Sequence, residues 1–287
     1  MHRIAARLAA LFAAVLLMVA APAPASATWS IIAVDTNSGL VVIASATCVT
    51  GEGLRSRGGL MSIQAVIVPG VGVAAAQAGV DATRANQSLI YEQIRAGTDP
   101  DVIIDMLSED PDFQRRQFGI VDLQGRMAGF SGSGNGHAAL AVQSEIRGEG
   151  IYFAVQGNIL ENNDVVLDAV TAIMETEGTV TDRVMAGMEA ARRAGGDARC
   201  NCRGDAVPET ETRCTQRTAH VAYIAAARAE DPVGDGHSDG EYSLFIDVEN
   251  ETTEPHEDAS PVATLRIRYD AWKAGGGPER LGLEGPR

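Results

Sequence analysis

Aromatic side chains make up only 5% of the 287 residues, whereas 31 residues are glycine. A core with so few rings must be filled by Ala, Val, Ile and Leu, with backbones approaching closely where glycine permits. The five histidines, His2, His137, His220, His237 and His256, form no spaced set, and there is no H-E-x-x-H, G-x-S-x-G or Walker loop. Nothing therefore points to zincins, α/β-hydrolases or P-loop enzymes. The acidic stretches 230–241 and 249–258 do not have the Asp/Asn spacing and closing Glu of an EF-hand, and read as solvated loops. Basic residues are outnumbered, 23 against 38 acidic, for a formal charge of −15. Such a surface repels phosphate and argues against nucleic acid or anionic membrane as nonspecific partners. The 45% hydrophobic and 21% charged content is that of a folded globular protein large enough for one sizeable core.

The N-terminus reads as a secretory leader. His2, Arg3 and Arg7 make a basic start, residues 8–21 (LAALFAAVLLMVAA) an apolar run of fourteen, and Ala25-Ser26-Ala27 a small-residue cleavage site. Pro22 and Pro24 interrupt the run just before the small residues, which favours cleavage over retention as an anchor. No later stretch approaches the roughly eighteen uncharged apolar residues of a spanning helix. Cleavage after Ala27 leaves 260 residues carrying −17, because the leader holds Arg3 and Arg7 and no acid. The expectation is a periplasmic or secreted protein with no stable membrane insertion after cleavage.

Four cysteines fit an oxidising compartment. Cys200, Cys202 and Cys214 share one polar segment and Cys48 lies far away. A Cys200–Cys202 ring would be strained, leaving Cys202–Cys214 or Cys200–Cys214, with the remaining thiol available to Cys48. The C-x-C spacing suits zinc poorly, and no metal or cofactor is expected.

Along the mature chain, TWSIIAVD (28–35) and LVVIASAT (40–47) predict a hairpin turning at Asn37-Ser38-Gly39, and residues 63–68 and 71–76 a second one around Pro69-Gly70. The Gly-rich segment 50–59 between them reads as a loop. Helical periodicity follows at 81–96, ended by Gly97, and at 99–108, with Asp99 as N-cap before Pro100. Strands are predicted at 117–123, 126–131, 151–156, 217–227 and 242–248, helices at 163–175 and 180–194, and Gly195-Gly196 stops the second of these helices. Residues 249–261 read as loop and GGGPERLGLEGPR (275–287) as a disordered tail. This order is not the strict alternation of a doubly wound sheet. It predicts an α/β chain of the α+β kind, with two sheets face to face and helices outside. The main domain is expected over 28–250, with a Cys-bearing insertion at 200–216 and an extension over 251–287.

Cleavage would expose Thr28 with an α-amine. A threonine hydroxyl is a weak nucleophile, but an α-amine on the same residue titrates near pH ~8 and can act as its base. The plainer reading is that Thr28 merely follows a leader.

Five segments tip the balance: TWSIIAVD (28–35), GVGVAAAQAGV (70–80), RRQFGIVDLQGRMAGFSG (115–132), YFAVQGNIL (152–160) and AGGDAR (194–199). In this order and spacing, over roughly 28–248, the chain resembles the DUF1028 family, grouped with the N-terminal-nucleophile (Ntn) hydrolases. The resemblance implies an αββα four-layer sandwich and places Thr28 where the family's threonine follows its initiator Met. Two features depart from the family pattern: the secretory leader, and the Cys200–Cys214 segment in place of a short Gly/Gln-Ser stretch. The family is defined without a known function, so the likeness implies no substrate.

An Ntn site also needs an oxyanion hole and a group that holds the amine. Asn158 and Gln77, amides at the ends of apolar strands, are the candidates, although Gly157-Asn158 also suits a plain turn. Asp197 and Arg199 are candidates for binding a substrate amine and carboxylate, or form an ion pair at a helix end. Ser45 and Thr47 can face Thr28 across the hairpin, and Arg55 and Arg57 are either substrate contacts or solvated charges. The expected function is an exported amidohydrolase acting on a small-molecule or peptide amide, with Thr28 and Asn158 catalytic and Gln77, Asp197, Arg199 and Ser45 binding substrate. The alternative is a non-catalytic periplasmic binding or scaffold protein, and a homo-oligomer is open to either.

Overall fold

The computed structural model describes residues 28–200 and 218–283. The predicted leader (residues 1–27), Cys202 and Cys214 therefore lie outside the described residues. Ten strands form two antiparallel sheets. The larger has the order β10-β9-β2-β1-β8-β7, from Leu244–Glu249 (β10), Val221–Ala227 (β9), Leu40–Thr47 (β2), Thr28–Asp35 (β1), Ile151–Asn158 (β8) and Leu140–Ile146 (β7). The smaller has the order β3-β4-β5-β6, from Ala65–Val68, Gly72–Ala78, Arg116–Asp122 and Met127–Ser131.

β1 is buried on both faces along nearly its whole length, and its central residues are apolar to match. Trp29, Ile31 and Ala33 face a core shared with helices α5 (Asp164–Glu175), α6 (Val180–Arg193) and α7 (Pro261–Ala274). Ile32 and Val34 alternate to the other face, where they meet Val73, Ala75 and Val121 of the smaller sheet. That sheet buries its far face, through Val66, Ala74, Phe118 and Ile120, against α3 (Ala85–Arg95) and α4 (Pro100–Leu107).

The hairpins, α3 to α6 and the Asp99 cap, whose carboxylate accepts from the Asp101 N–H, are as the pattern predicts. Gly195 and Gly196 both take positive φ just past α6. A Cβ at Gly196 would press on the Trp29 ring at 2.9 Å. Glycine there lets the chain cross β1 and return to the larger sheet.

Three predicted features are corrected. The 50–59 loop is helical, as α1 (Gly51–Arg55) and α2 (Gly59–Gln64), so the second hairpin begins at Ala65 rather than 63. Leu54, Leu60 and Ile63 hold these short helices in the inter-sheet core, and that burial outweighs the glycine content. β7 had no predicted counterpart: it is an edge strand, half-buried at every residue, without a continuous apolar run. The described part of the tail is not disordered, since α8 (Gly277–Arg280) docks through the buried Leu281. α7 likewise joins the main core through Val262, Leu265 and Tyr269.

Cys48 pairs with Cys200 in a disulfide, which fits an oxidising compartment. Among the described residues no helix is long and apolar enough to cross a membrane.

Candidate active site

Alternation along the strands of the larger sheet turns polar at one end. On the inter-sheet face, Thr28 of β1 lies in register between Thr47 of β2 and Asn158 of β8. One step deeper, Ser30 lies between Ser45 and Gln156. The smaller sheet answers with Gln77 of β4, Gln117 of β5 and Ser131 of β6, again in register. Buried polar groups are costly unless paired, and here the two sheets pair most of them, with Gln156 Oε1 left over among the described residues. The Ser30 hydroxyl donates to Gln77 Oε1 at 2.7 Å and accepts from Gln156 Nε2 at 2.6 Å. Gln77 Nε2 donates to Gln117 Oε1 at 2.7 Å and to the Thr28 carbonyl at 3.2 Å. Gln117 Nε2 continues the chain to Ser131 Oγ and the Gly157 carbonyl. β5 can pass this close because residue 119 is glycine: a Cβ there would collide with Gln156 Oε1.

Thr28 is 3% exposed, and its hydroxyl lies 3.3 Å from that of Thr47. The two hydroxyls and Gln77 line a small cavity of about 10 Å³, walled by Leu54, Leu60 and Ile63 of α1 and α2. It holds about one water-sized group. Ala78 and Ile159, which follow Gln77 and Asn158, take φ of 73° and 51°. Left-handed backbone costs a non-glycine residue roughly 1–3 kcal/mol and tends to cluster at functional sites.

The predicted site residues divide. Thr28, Asn158, Gln77 and Thr47 come together at this end. Ser45 is one step deeper, with its hydroxyl on the Trp29 carbonyl at 2.7 Å. Gln77 spends its amide on protein partners and so positions Thr28 through its carbonyl. Asp197 is fully buried and accepts from the Cys48 N–H at 2.8 Å, the Arg199 N–H at 3.0 Å, and the Nε and Nη2 edge of the Arg199 guanidinium at 3.1 and 2.8 Å. The structure thus gives it the ion pair with Arg199, which ties the end of β2 to the segment after α6. Arg55 pairs with Glu249 at 2.5 Å. Ser30, Gln117 and Gln156 were not picked out from the sequence, although a polar residue two positions before Thr47 and Asn158 repeats the same signal.

Beside the cavity, sharing Val49, Arg57 and Val80 with it, lies a groove of about 740 Å³. Among the described residues Arg57, Arg84, Arg115, Arg116 and Arg199 line it, with one carboxylate, Asp112. Among the described residues no three or more His, Cys, Asp or Glu side chains gather as a metal site would require.

A family model described as a family of unknown function, DUF1028, matches residues 28–236. The chain belongs to the DUF1028 family. The match opens on Thr28 and takes in the two rows of polar residues, the cavity and the whole groove. Among solved structures, the DUF1028 protein SPO2555 from Silicibacter pomeroyi is similar at 20% identity, covering 91% of this chain and 95% of its own, with a TM-score of 0.62. That likeness shows a shared DUF1028 fold. Comparison with curated proteins returned no match.

Proposed function

We propose that this DUF1028 protein is an exported amidohydrolase of the Ntn type, an αββα sandwich whose nucleophile is Thr28, unmasked by removal of residues 1–27. The observation that carries the reading is the position of Thr28. It starts the central strand of the larger sheet, with its hydroxyl in a cavity and its carbonyl held by Gln77. The family match beginning at this residue and the Cys48–Cys200 disulfide support it.

In the proposed reaction Thr28 Oγ1 attacks the amide carbonyl carbon and passes its proton to the α-amine of the same residue. The oxyanion is stabilised by backbone N–H groups and Asn158, which pairs opposite Thr28. The tetrahedral centre collapses, the C–N bond breaks, and the leaving amine takes the proton. Water then adds to the ester, and its cleavage returns the hydroxyl.

N-terminal sequencing of the exported protein should open on Thr28, and any other first residue overturns the scheme. Thr28→Ala should lose turnover by at least about 10³-fold without a change in melting temperature, while Thr28→Ser retains part of it. An epoxyketone should label the native protein and not the alanine variant. Turnover should rise with pH as the α-amine loses its proton, near pH ~8.

A further inference from the structure

We infer that the arginine groove beside Thr28 is a recognition site for an anionic group, a carboxylate or a phosphate, on the molecule whose amide enters the cavity. This deepens the reading of Thr28 as a nucleophile and rests on it. Cavity and groove are neighbours that share Val49, Arg57 and Val80 in their linings, which sets a ligand in the groove next to the Thr28 cavity. The groove volume, about 740 Å³, falls within the roughly 300–1,000 Å³ of small-molecule sites. The cavity admits little more than the reacting group, which leaves the bulk of the ligand in the groove.

The charge arrangement selects the ligand class. The chain as a whole carries −15, yet among the described residues five arginines and one carboxylate line this groove. Three of the five are engaged. Arg116 is paired with Asp110 at 2.8 Å and donates to the Gly79 carbonyl, Arg199 is held by Asp197, and Arg115 also has a partner. Arg57 and Arg84 form no ion pair with a carboxylate among the described residues. Among the described residues the Arg84 side chain donates to the Asp81 carbonyl, at 2.9 Å. Burial and the neighbouring Arg57 charge hold the Arg84 guanidinium below its ordinary proton affinity, and the Asp81 charge offsets only part of this. An anion seated between them would relieve that repulsion, and guanidinium forks match planar carboxylates and phosphates in two-pronged geometry.

The test uses the mature chain and its Thr28→Ala variant, titrated calorimetrically at low ionic strength. The probes are N-acetyl-L-glutamate, the uncharged N-acetyl-L-glutamine amide, and inorganic phosphate. The charged amide should bind at least about tenfold more tightly than the uncharged one, equally well to the native and Thr28→Ala proteins. The exposed Arg57→Gln change combined with Arg84→Gln should weaken that binding at least about tenfold while circular dichroism and melting temperature stay unchanged. Phosphate binding more tightly than the dicarboxylate assigns the groove to phosphorylated ligands. Equal binding of charged and uncharged amides, or a double variant that binds as before, overturns the inference. Anion binding without cleavage of any carboxylated amide keeps the groove and removes the hydrolase. Cleavage of uncharged amides with no preference for anions does the reverse.

Discussion

The groove beside Thr28 and the seam between α6 and α7 are both rich in cations, and they treat them in opposite ways. Along the seam three cations are paired with carboxylates: Arg266 meets Glu189 at 2.8 Å, Arg268 meets Glu257 at 2.8 Å, and Lys273 meets Asp182 at 2.5 Å, while Arg192 donates to the Ser260 hydroxyl at 3.0 Å. The partners show the effect. Burial works against the charge on Arg266, but its hydrogen bonds and charge contacts with Glu189 and Asp270 together more than offset this and raise its proton affinity. Arg268 is raised first of all by its bond to Glu257. In the groove Arg84 shifts the other way, lowered by burial and by Arg57. A chain with 38 acidic residues against 23 basic has ample carboxylate for pairing. Two neighbouring arginines with no ion pair to a carboxylate among the described residues repel each other, a repulsion that the Asp81 charge offsets only in part and that an anion between them would relieve.

The comparison breaks most forcefully at Asp197, the one buried carboxylate tied to a groove arginine. Asp197→Ala leaves the Cys48 N–H and the partly buried Arg199 without their acceptor. Breaking a buried pair costs about 3–5 kcal/mol, with the lower end expected because Arg199 is 33% exposed. Urea unfolding with the disulfide intact should show a loss of about 3 kcal/mol. A loss below about 1 kcal/mol would mean that Asp197 is not what anchors this end of β2.

Next in size is a matched pair of substitutions. Arg266→Gln removes a cation from Glu189 and Asp270 and should lower stability by up to about 1 kcal/mol. Arg84→Gln removes a cation from another cation and should leave stability unchanged or slightly raised, within about 0.5 kcal/mol. If thermal melts show both variants destabilised alike, Arg84 is a structural cation and the contrast between the two regions fails.

The sequence reveals the two regions unequally, for a physical reason. Strands such as β1 and β2 and helices α3 to α6 are legible because their core contacts repeat with a period their own residues display. Thr28, Thr47 and Asn158 are legible as polar residues in apolar strands, and the alternation that exposes them also brings them together. α1 and α2 are hidden because Gly51, Gly53, Gly58 and Gly59 read as loop, while the burial of Leu54, Leu60 and Ile63 that shapes them comes from distant strands. The groove is hidden more completely. Arg57, Arg84, Arg115 and Arg199 lie in four separate segments, and only the stacking of the two sheets sets them around one volume. Arg57 was noticed as one charge among several, and nothing local separates it from Arg55, which pairs with Glu249.

The smallest effect is the one whose pH dependence marks a paired cation. Arg268, with a backbone bond from Glu254, holds the Glu257 carboxyl at about 2, against an ordinary 4.5. A carboxyl depressed by folding stabilises the fold fully above its unfolded value and loses that contribution as pH falls through its folded one. The melting temperature of native protein over Glu257→Gln should therefore be higher near neutral pH, begin to shrink below about 4.5, and vanish near 2. Because Arg268 is 28% exposed and such pairs are worth about 0.2–1 kcal/mol, the gap is small and narrows further in salt. Arg84→Gln, which removes no carboxylate pairing, should show no such step over the same range. An acid step of equal size in both variants would mean that Arg84 has a carboxylate partner after all.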